Sequence, residues 1–598
     1  MTASGGRSSG TVTLNAIIPE YDMDVKERKV YNIPVCEQDE RQTMRAAAAK
    51  TGSEKIMDYR ILQNKTYLYL TEFFSGMAVM AVELGASRLL APYFSSSQIV
   101  WTIIISTIMI AMALGNIYGG RSADRNPDPD RLYRRLLVAA VWIAAIPVLG
   151  KYIIVGITGI LVVTIDNNLL IIAGFLACLV IFVFPCFLLG TVTPSLTKFA
   201  VRSLEDSGST VGRLNASNTV GSIIGTFTPT FLTIPAFGTA VTFLIFSGIV
   251  LMLALVYFLS RKTCRIRCLV AVLLFVLCTV FGHRSNFAFW ENHLAYEGES
   301  IYNYLQVKED SENVILSTNV MFGVQSITKK DGSLTGMYYD YAMLAPVMAG
   351  ITEKSGGSTG DDGSRPRLLI LGNGSGTYAR ECEKYFGDDM DISGVEIDQK
   401  ITDLARTYFD LPEDVQVTTY DGRAWLEADT GKYDVIMVDA FQDISVPFQM
   451  SSAEFFTLVK NHLKDSGVMV VNENMRADGE NSINEYLSDT IASVFPYVST
   501  VDVDGYTNRE LFASLRPVSE GTMDRRLSAV SDGGLRRLLQ KVYGHTTAYE
   551  GGDHILTDDR APVEMLSMRA VDSIIRDELA YYKQIFREQG FAGLLNEV

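Results

Sequence analysis

A glycine-rich turn and an acid 20 residues beyond it are the first residues in this sequence whose types and spacing indicate chemistry. The turn Gly372-Asn-Gly374-Ser-Gly376 follows an apolar run, and Glu396 ends the next apolar run. Glycines allow the backbone to approach a ligand closely, and a carboxylate at the second strand's end can accept hydrogen bonds from both ribose hydroxyls. The pair predicts a nucleoside-binding site, against the alternative of a purely structural turn.

Two aspartates follow the later apolar runs and are candidates for contacts with the rest of a ligand. Asp421-Gly422 comes after the third run, where it would contact an adenine amino group, and an ordinary Asp-Gly turn is an equal alternative. Asp439 ends the fourth run, where it would take a proton from an attacking amine or hold that amine neutral and aimed. For Asp439 the structural alternative is a helix cap.

The elements that must position these residues are short apolar strands that alternate with helix-length patterns. Continuous apolar strands between helices indicate a parallel sheet that is covered on both faces. We expect this α/β domain at 366–523 and a β-rich lead-in with strands near 302–307, 314–316 and 324–328. The predicted boundaries of the other parts are 297–350 for the lead-in, 354–365 for a polar surface loop and 524–598 for a helical C-terminal extension.

The preceding part of the chain has the composition of a membrane domain. Its apolar segments include 99–120 and 169–196, which hold no charged residue and exceed the roughly 20 residues that cross hydrocarbon. Spanning segments must be helices, because lipid offers no hydrogen-bond partners. We therefore expect a multi-pass transmembrane helical domain at 67–282, after a polar segment at 1–66 of unassigned function. The predicted helical segments are 67–90, 98–120, 135–157, 169–196, 212–234, 239–259 and 267–282.

Charge and residue spacing exclude two classes of site. The 598 residues carry 52 Lys and Arg against 68 Asp and Glu, and the part after residue 282 has a net charge of −23. A domain this acidic repels phosphate backbones, so we expect no nucleic-acid binding and favour a small cationic partner. The five histidines and seven cysteines lack metal-ligand spacing, so we expect no metal.

Loop charges predict an orientation in the membrane. Basic residues cluster in alternate connections, whereas the connections near Ser95, Ile165 and Phe237 hold no Lys or Arg. The positive-inside rule then places the basic loops and the N-terminus in the cytoplasm. Seven crossings would leave the C-terminal domain outside, so we interpret the short segment 267–282 as a re-entrant or interfacial helix.

Two charged residues in the first apolar segment are candidates for function within the membrane. Glu83 and Arg88 are costly in hydrocarbon, and at this spacing they do not share a helix face. We therefore expect each to pair with another helix. A structural ion pair and a polar ligand path are the two interpretations.

Several motifs of the C-terminal part resemble the spermidine synthase family. They are Val395-Glu-Ile-Asp398, Asp421-Gly-Arg423, Tyr433-Asp-Val-Ile-Met-Val-Asp-Ala440 and the glycine-rich turn followed by Arg380-Glu381. Leu556-Thr-Asp-Asp-Arg-Ala-Pro-Val-Glu564, with the preceding apolar helices, resembles the membrane-fused, major-facilitator-like branch of that family. The resemblance covers about residues 67–570 and implies a Rossmann-like catalytic domain. It also implies transfer of an aminopropyl group from decarboxylated S-adenosylmethionine to an amine, with release of methylthioadenosine.

The same resemblance implies roles for individual residues. Glu396 would hold the ribose, Asp421 the adenine and Asp439 the attacking nitrogen. Other positions match residues that line the family's pocket. They are Tyr302, Asn303, Gln325, Tyr338, Tyr339 and Tyr506.

Two departures from the family pattern leave donor and acceptor open. Ser375 stands where the family has an Asp for the donor's amino group, and Gln442 replaces a polyamine-binding Asp, although Asp443 lies next to it. The alternatives are aminocarboxypropyl transfer, methyl transfer or sulfonium cleavage with intact S-adenosylmethionine, and a transporter-sensor without turnover. Because S-adenosylmethionine is made in the cytoplasm, we expect a cell-membrane protein with a cytoplasmic catalytic domain. A homo-oligomer is left open.

Overall fold

The computed structural model describes residues 61–201, 207–284, 286–289, 291, 293–319, 323–352, 365–387, 390–440, 447–474 and 481–597. Within these ranges a helical bundle is followed by a small antiparallel sheet and then by a large mixed sheet. Most of the predicted polar segment 1–66 and of the predicted loop 354–365 lies outside the described residues.

All seven predicted apolar segments are helical. The bundle contains α1 (Lys65–Phe94), α2 (Gln98–Arg125), α3 (Pro129–Thr164), α4 (Leu169–Ile181), α5 (Val183–Gly190), α6 (Val192–Ala200), α7 (Ser207–Thr228), α8 (Ile234–Arg261) and α9 (Arg265–Gly282). In the described part of the chain, 6 helical stretches are long and apolar enough to cross a membrane. One of them, Ser207–Arg261, has 55 residues and is broken at Gly238, so its length suffices for two crossings.

Close helix packing in the bundle depends on glycine. A Cβ on Gly221 of α7 would lie 2.0 Å from the Phe73 carbonyl oxygen of α1, and one on Gly225 would lie 2.3 Å from the Met77 carbonyl oxygen. Small residues let two helix backbones touch in this way. The first and fifth apolar segments therefore form one tightly packed pair.

The seventh segment forms a regular helix of the bundle. Helix α9 has 18 residues and packs along α3 and α8. At a rise of 1.5 Å per residue it is about 27 Å long, which approaches the thickness of a hydrocarbon core. The helix is therefore long enough for a crossing, and its interpretation as a re-entrant or interfacial helix stays a prediction. Its last residue, Gly282, lies against Pro147 and Val148 of α3.

The predicted β-rich lead-in is a four-stranded antiparallel sheet in sequence order. Its strands are β1 (Leu294–Glu299), β2 (Tyr304–Glu309), β3 (Asn313–Thr318) and β4 (Ser326–Lys329), and two short helices follow, α10 (Tyr338–Ala342) and α11 (Leu344–Ala349). The last three strands confirm the predicted positions, whereas β1 begins before the predicted boundary at 297.

The large sheet has eight strands in the order β12-β10-β11-β9-β8-β5-β6-β7. They are β5 (Arg367–Leu371), β6 (Asp391–Glu396), β7 (Gln416–Thr419), β8 (Tyr433–Val438), β9 (Leu463–Glu473), β10 (Tyr497–Asp502), β11 (Arg509–Ser514) and β12 (Thr547–Ala548). Strands β5 to β9 run parallel to one another, whereas β11 pairs antiparallel with β9 and β10, and β12 pairs antiparallel with β10. The predicted parallel α/β sheet is thus confirmed, with an antiparallel edge that the apolar pattern did not indicate.

Helices cover both faces of this sheet. They are α12 (Thr377–Phe386), α13 (Gln399–Tyr408), α14 (Gly422–Ala428), α15 (Ala453–His462), α16 (Ile483–Val494), α17 (Glu520–Ala529), α18 (Gly533–His545) and α19 (Val563–Glu597). Two apolar clusters result, one on each face, and alternate residues of β8 such as Met437 and Val438 belong to opposite clusters. Because apolar side chains fill both faces of the sheet, we look for its polar residues at the carboxyl edge of the parallel strands.

The sheet domain contacts one end of the bundle at two places. Glu299 accepts hydrogen bonds from the Thr239 amide (2.6 Å) and the Thr239 hydroxyl (2.5 Å), where α8 restarts after Gly238. Asp572 of α19 accepts from the Asn168 amide at 2.6 Å, and Lys583 pairs with Asp166. The domain therefore lies at the end of the bundle whose connections lack Lys and Arg.

Candidate active site

The register of the large sheet brings the polar strand ends into one row. Leu371 of β5 is paired with Val395 of β6 and with Val438 of β8, and Val438 is paired with Val471 of β9. The next residue of each strand is therefore a neighbour in the same row. From β6 to β9 this row reads Glu396, Gly372, Asp439 and Asn472.

The strand order reverses between β5 and β8, and the glycine-rich turn lies at that point. Gly372 has a φ of 89°, and a Cβ there would lie 2.4 Å from the Asp439 carbonyl oxygen. Gly376 has a φ of 78°, and a Cβ there would lie 2.4 Å from Cδ1 of Leu411. Only glycine fits both positions, which lets the turn pass directly beside Asp439 before α12 begins.

Glu396 holds the glycine-rich turn in place. Its Oε2 accepts a hydrogen bond from the Gly374 amide at 2.9 Å, and its Oε1 accepts from the Asp398 amide at 3.1 Å. Burial raises the pKa of Glu396 to about 7. Each carboxylate oxygen has a second lone pair, so Glu396 can accept ligand hydroxyls while it keeps both backbone contacts.

Asp439 is oriented by two donors from different elements. Tyr338 of α10 donates to its Oδ2 at 2.6 Å, and the Asn472 amide nitrogen donates to its Oδ1 at 2.9 Å. Burial raises the pKa of Asp439 to about 7, while these two hydrogen bonds oppose the rise. The carboxylate therefore titrates near neutral pH, as a general base for an amine requires.

A cavity of about 240 Å³ lies over this row. Its lining includes Gly372, Gly374, Glu396, Asp421, Gly422 and Asp439 from the sheet edge, and Tyr302, Asn303, Gln325 and Tyr339 from the lead-in. The structure thus brings most of the predicted site residues together. Asp421 also caps α14, with Oδ1 accepting a hydrogen bond from the Ala424 amide at 2.9 Å, so it has a structural role at the start of a helix and its contact with an adenine stays a prediction.

The remaining predicted residues lie elsewhere. Ser375 is buried behind the turn, where its hydroxyl hydrogen-bonds the Thr377 hydroxyl, and neither Ser375 nor Gly376 lines the cavity. Tyr506 is 44% exposed in the turn between β10 and β11 and does not line it either. Gln442 and Asp443 lie outside the described residues, so their roles stay predictions.

An ion pair joins two of the motifs that carry the family resemblance. The Arg423 guanidinium binds both carboxylate oxygens of Asp558 at 2.7 Å and donates to the Gln449 carbonyl oxygen at 2.9 Å. This pairing with Arg423 lowers the pKa of Asp558 to about 2. Because Gln449 and Met450 line the cavity, the pair fixes one side of the site from outside.

Several residues of the site were missed by sequence reasoning, three that line the cavity and Asn472, which donates to Asp439. Asn373 lies inside the quoted turn and lines the cavity, with both of its side-chain polar atoms buried and lacking a partner among the described residues. Asn472 follows the apolar run 468–471 just as Asp439 follows its own run, so its position was a readable signal. Tyr378 and Tyr420 carried no such signal, because only the tertiary packing brings them to the cavity.

One contact of the charged residues of α1 was not expected. Arg88 donates to the Ile301 carbonyl oxygen in the turn after β1, and the expected pairing of Arg88 and Glu83 with other helices stays a prediction. Glu83 is half-buried. A second acid, Glu72, was missed, and its Oε1 accepts from the Thr193 hydroxyl and from the Asn218 amide nitrogen, which joins three helices.

One group of potential metal ligands lies outside the cavity. Glu485, Asp489 and His554 have ligand atoms within 4.8 Å of one another. Asp489 already accepts hydrogen bonds from the Tyr549 hydroxyl and from the backbone amides of Gly552 and His554. These contacts explain the group as a structural link between α16 and the segment before α19. The expectation of no metal stays a prediction.

Comparison with known proteins shows which family the chain resembles. The profile of the Spermine/spermidine synthase domain matches residues 357–508, which include Glu396, Asp439 and Asn472. A protein of Bifidobacterium longum named "Probable polyamine aminopropyl transferase" is 52% identical over 361 residues, which cover 58% of this chain and 78% of that protein. A "Polyamine aminopropyltransferase" of Oceanobacillus iheyensis is 25% identical over 400 residues, which cover 62% of this chain and 70% of that protein. A crystal structure of a probable spermidine synthase from Corynebacterium glutamicum aligns with a TM-score of 0.32 at 22% identity, covering 44% of this chain and 97% of that one.

The glycine requirement at the row can be tested directly. Gly372→Ala should lower the free energy of unfolding by about 1–3 kcal/mol, because the new Cβ would meet the Asp439 backbone at a positive φ. Thermal unfolding of the detergent-solubilised protein measures this. Gly521→Ala in α17 is the matched control, since a Cβ there meets nothing within 4 Å. Equal melting temperatures of the two variants would contradict the steric argument.

Proposed function

Because the chain belongs to the polyamine aminopropyltransferase family and is an aminopropyltransferase, we propose that it moves an aminopropyl group from a decarboxylated S-adenosylmethionine-type donor to a di- or polyamine. Methylthioadenosine is the second product. The observation that carries this proposal is the row at the sheet edge, where Glu396 and Asp439 flank the glycine-rich turn beneath one cavity. One acid is placed for the sugar of the donor and the other for the nucleophile.

The reaction is an in-line displacement at carbon. The acceptor nitrogen forms a bond to the methylene carbon next to the sulfonium, the carbon–sulfur bond breaks, and its electron pair stays on sulfur. The acceptor's proton passes to the Asp439 carboxylate and then to solvent. Since the sulfonium carbon is already activated, the protein mainly positions the amine and keeps it unprotonated.

The proposed donor site lies at the carboxyl edge of the large sheet. Glu396 supplies acceptor atoms for ribose hydroxyls, and Asp421 with Gly422 lies one strand further along the same edge. Ser375 does not take the place of an acid toward the donor's amino group, because its side chain is buried away from the cavity. Aminocarboxypropyl or methyl transfer from intact S-adenosylmethionine is therefore the alternative to be tested.

We further propose that the helical bundle lies in the cell membrane as a major-facilitator-like anchor. Large apolar side chains are exposed along its outer faces, among them Met109 (64%), Phe231 (67%), Leu259 (67%) and Phe281 (71%). In water such a continuous apolar surface would cause association, whereas lipid covers it without cost.

The catalytic domain is proposed to face the cytoplasm, where the donor is made. This orientation places the basic connections on the outer side, against the positive-inside rule, because the domain lies at the opposite end of the bundle. We give the location of the donor more weight than the positive-inside rule, since an enzyme without its co-substrate has no activity. The alternative orientation keeps the rule and puts the cavity outside.

Product analysis tests the reaction. Purified protein with decarboxylated S-adenosylmethionine and putrescine should release methylthioadenosine, measured by mass spectrometry, and Asp439→Asn should slow the release by roughly 100- to 10,000-fold. Asp403→Asn, an exposed acid on α13, is the control and should keep the wild-type rate. Release of S-adenosylhomocysteine from S-adenosylmethionine instead would establish methyl transfer and overturn the proposal.

The pH dependence tests the role of Asp439. Its pKa of about 7 predicts that kcat/KM rises with pH around 7, as the carboxylate loses its proton. Tyr338→Phe removes a hydrogen bond that favours the charged form, so the pKa should rise and the midpoint should move to higher pH by about one unit. Tyr341→Phe is the control, because the Tyr341 hydroxyl contacts the Asp504 amide and not Asp439. An unshifted profile for Tyr338→Phe would show that another group controls the rate.

Reporter fusions test the orientation. A fluorescent protein fused to the C-terminus should fluoresce in whole cells, because it folds to a fluorescent form in the cytoplasm, and alkaline phosphatase at the same position should be inactive. With seven crossings, the same two reporters fused at the N-terminus should give the opposite result. An active phosphatase at the C-terminus would place the catalytic domain outside.

A further inference from the structure

One buried carboxylate of the sheet domain has no role in the mechanism described so far. Glu510 of β11 is 0% exposed, and neither of its carboxylate oxygens has a hydrogen-bond partner among the described residues. A buried carboxylate in this state is unfavourable unless it is neutral or meets a cation. Within the described ranges no cation compensates this carboxylate, so Glu510 is either neutral in the free protein or charged when a cationic ligand is bound.

The sheet register places Glu510 in the row of the active site. Glu510 is paired with Asn472 of β9, and Asn472 is the neighbour of Asp439. Side chains of one row point to the same face of a sheet, and the hydrogen bond from Asn472 to Asp439 follows that geometry. Two strand spacings, roughly 10 Å of backbone, separate Glu510 from Asp439.

The surroundings of Glu510 are acidic and aromatic. Its charged neighbours are Asp439 and Glu473, and no Lys or Arg in the described ranges forms an ion pair with it. Tyr378 is a further neighbour. Both Asp439 and Tyr378 line the cavity, so Glu510 lies directly behind its lining on the side of the nucleophile.

Resting on the proposed function, we propose that Glu510 is the second carboxylate of the acceptor site. It pairs with the far ammonium of a diamine whose near nitrogen lies at Asp439. Two acids in one row, two strands apart, suit a cation with two nitrogens on a short alkyl chain. The near nitrogen must be neutral to attack, whereas the far nitrogen stays charged and compensates Glu510. A monoamine of the same length has no second ammonium and therefore places no charge beside Glu510.

The charge-neutral variant Glu510→Gln tests the pairing. Its kcat/KM should be compared with wild type for 1,4-diaminobutane and for 1-aminobutane, with methylthioadenosine release as the measurement. We expect the value for the diamine to fall by roughly 30-fold or more, mostly through KM, because a buried charge pair is lost. The value for the monoamine should change less than about threefold, since it never used Glu510.

Glu473→Gln is the matched control. Glu473 is equally buried on the neighbouring strand, but its side chain lies on the other face, where Ser488 and Asn484 donate to it. This variant should keep the wild-type ratio of diamine to monoamine activity. If Glu510→Gln also keeps that ratio, Glu510 is not part of the acceptor site.

The test of Glu510 can fail separately from the test of the proposed function. If the wild type releases no methylthioadenosine with any amine, the proposed function fails, whatever Glu510 does. Binding of methylthioadenosine by calorimetry shows whether Glu510→Gln is folded. Should that variant misfold, Glu510→Asp provides a second readout, because the shorter acid should shift the preference from 1,4-diaminobutane toward 1,5-diaminopentane. An unchanged preference would overturn the inference.

Discussion

The site depends on the lateral pairing of β5 with β8, where the Asp439 amide donates to the Leu371 carbonyl oxygen at 2.9 Å. This contact closes the sheet at the point where strand order reverses, which is where open α/β sheets form a crevice. It also fixes the relative height of all the parallel strand ends. Residues from distant parts of the chain therefore become neighbours at one edge, and the glycine at position 372 is needed because the row leaves no space for a side chain beside Asp439.

Burial and charge then set the chemistry of that edge. Burial raises the pKa of both Glu396 and Asp439 to about 7, and the charge of Glu396 adds to the rise in the pKa of Asp439. The domain around them has a net charge of −23, so its long-range field also favours cations. Under the proposed function, a cationic donor or acceptor that enters the cavity would favour the ionised form of both acids, including Asp439 as the proposed base. Tyr338 and Asn472 keep this base aimed at one point of the cavity.

The sequence predicted the parts of the site whose signal is local. Apolar runs located β5, β6, β7 and β8, and the residue after each run gave Glu396 and Asp439. Sequence reasoning missed the residues whose place in the site depends on which strands pair and in which register. A polar residue such as Glu510 near the start of β11 is also typical of a strand with one side facing solvent. Nothing in the local sequence shows that β11 runs antiparallel beside β9. The positions of Tyr506 and Ser375 came from the family resemblance, and neither side chain lines the cavity, because a matching position in the sequence does not decide which way a side chain points.

One turn of the chain contacts both the bundle and the sheet edge beneath the cavity. Residues 299–303 contact the bundle through Glu299 and Ile301, and the same turn sends Ser300 and Asn303 to Oδ2 of Asp398, at 2.5 and 3.0 Å. The Asp398 amide in turn donates to Glu396. A short series of hydrogen bonds therefore connects the break in α8 at Gly238 to the carboxylate that holds the glycine-rich turn. Because the helix is interrupted at Gly238, the Thr239 amide donates to Glu299 of the lead-in, and this contact fixes the lead-in against the bundle.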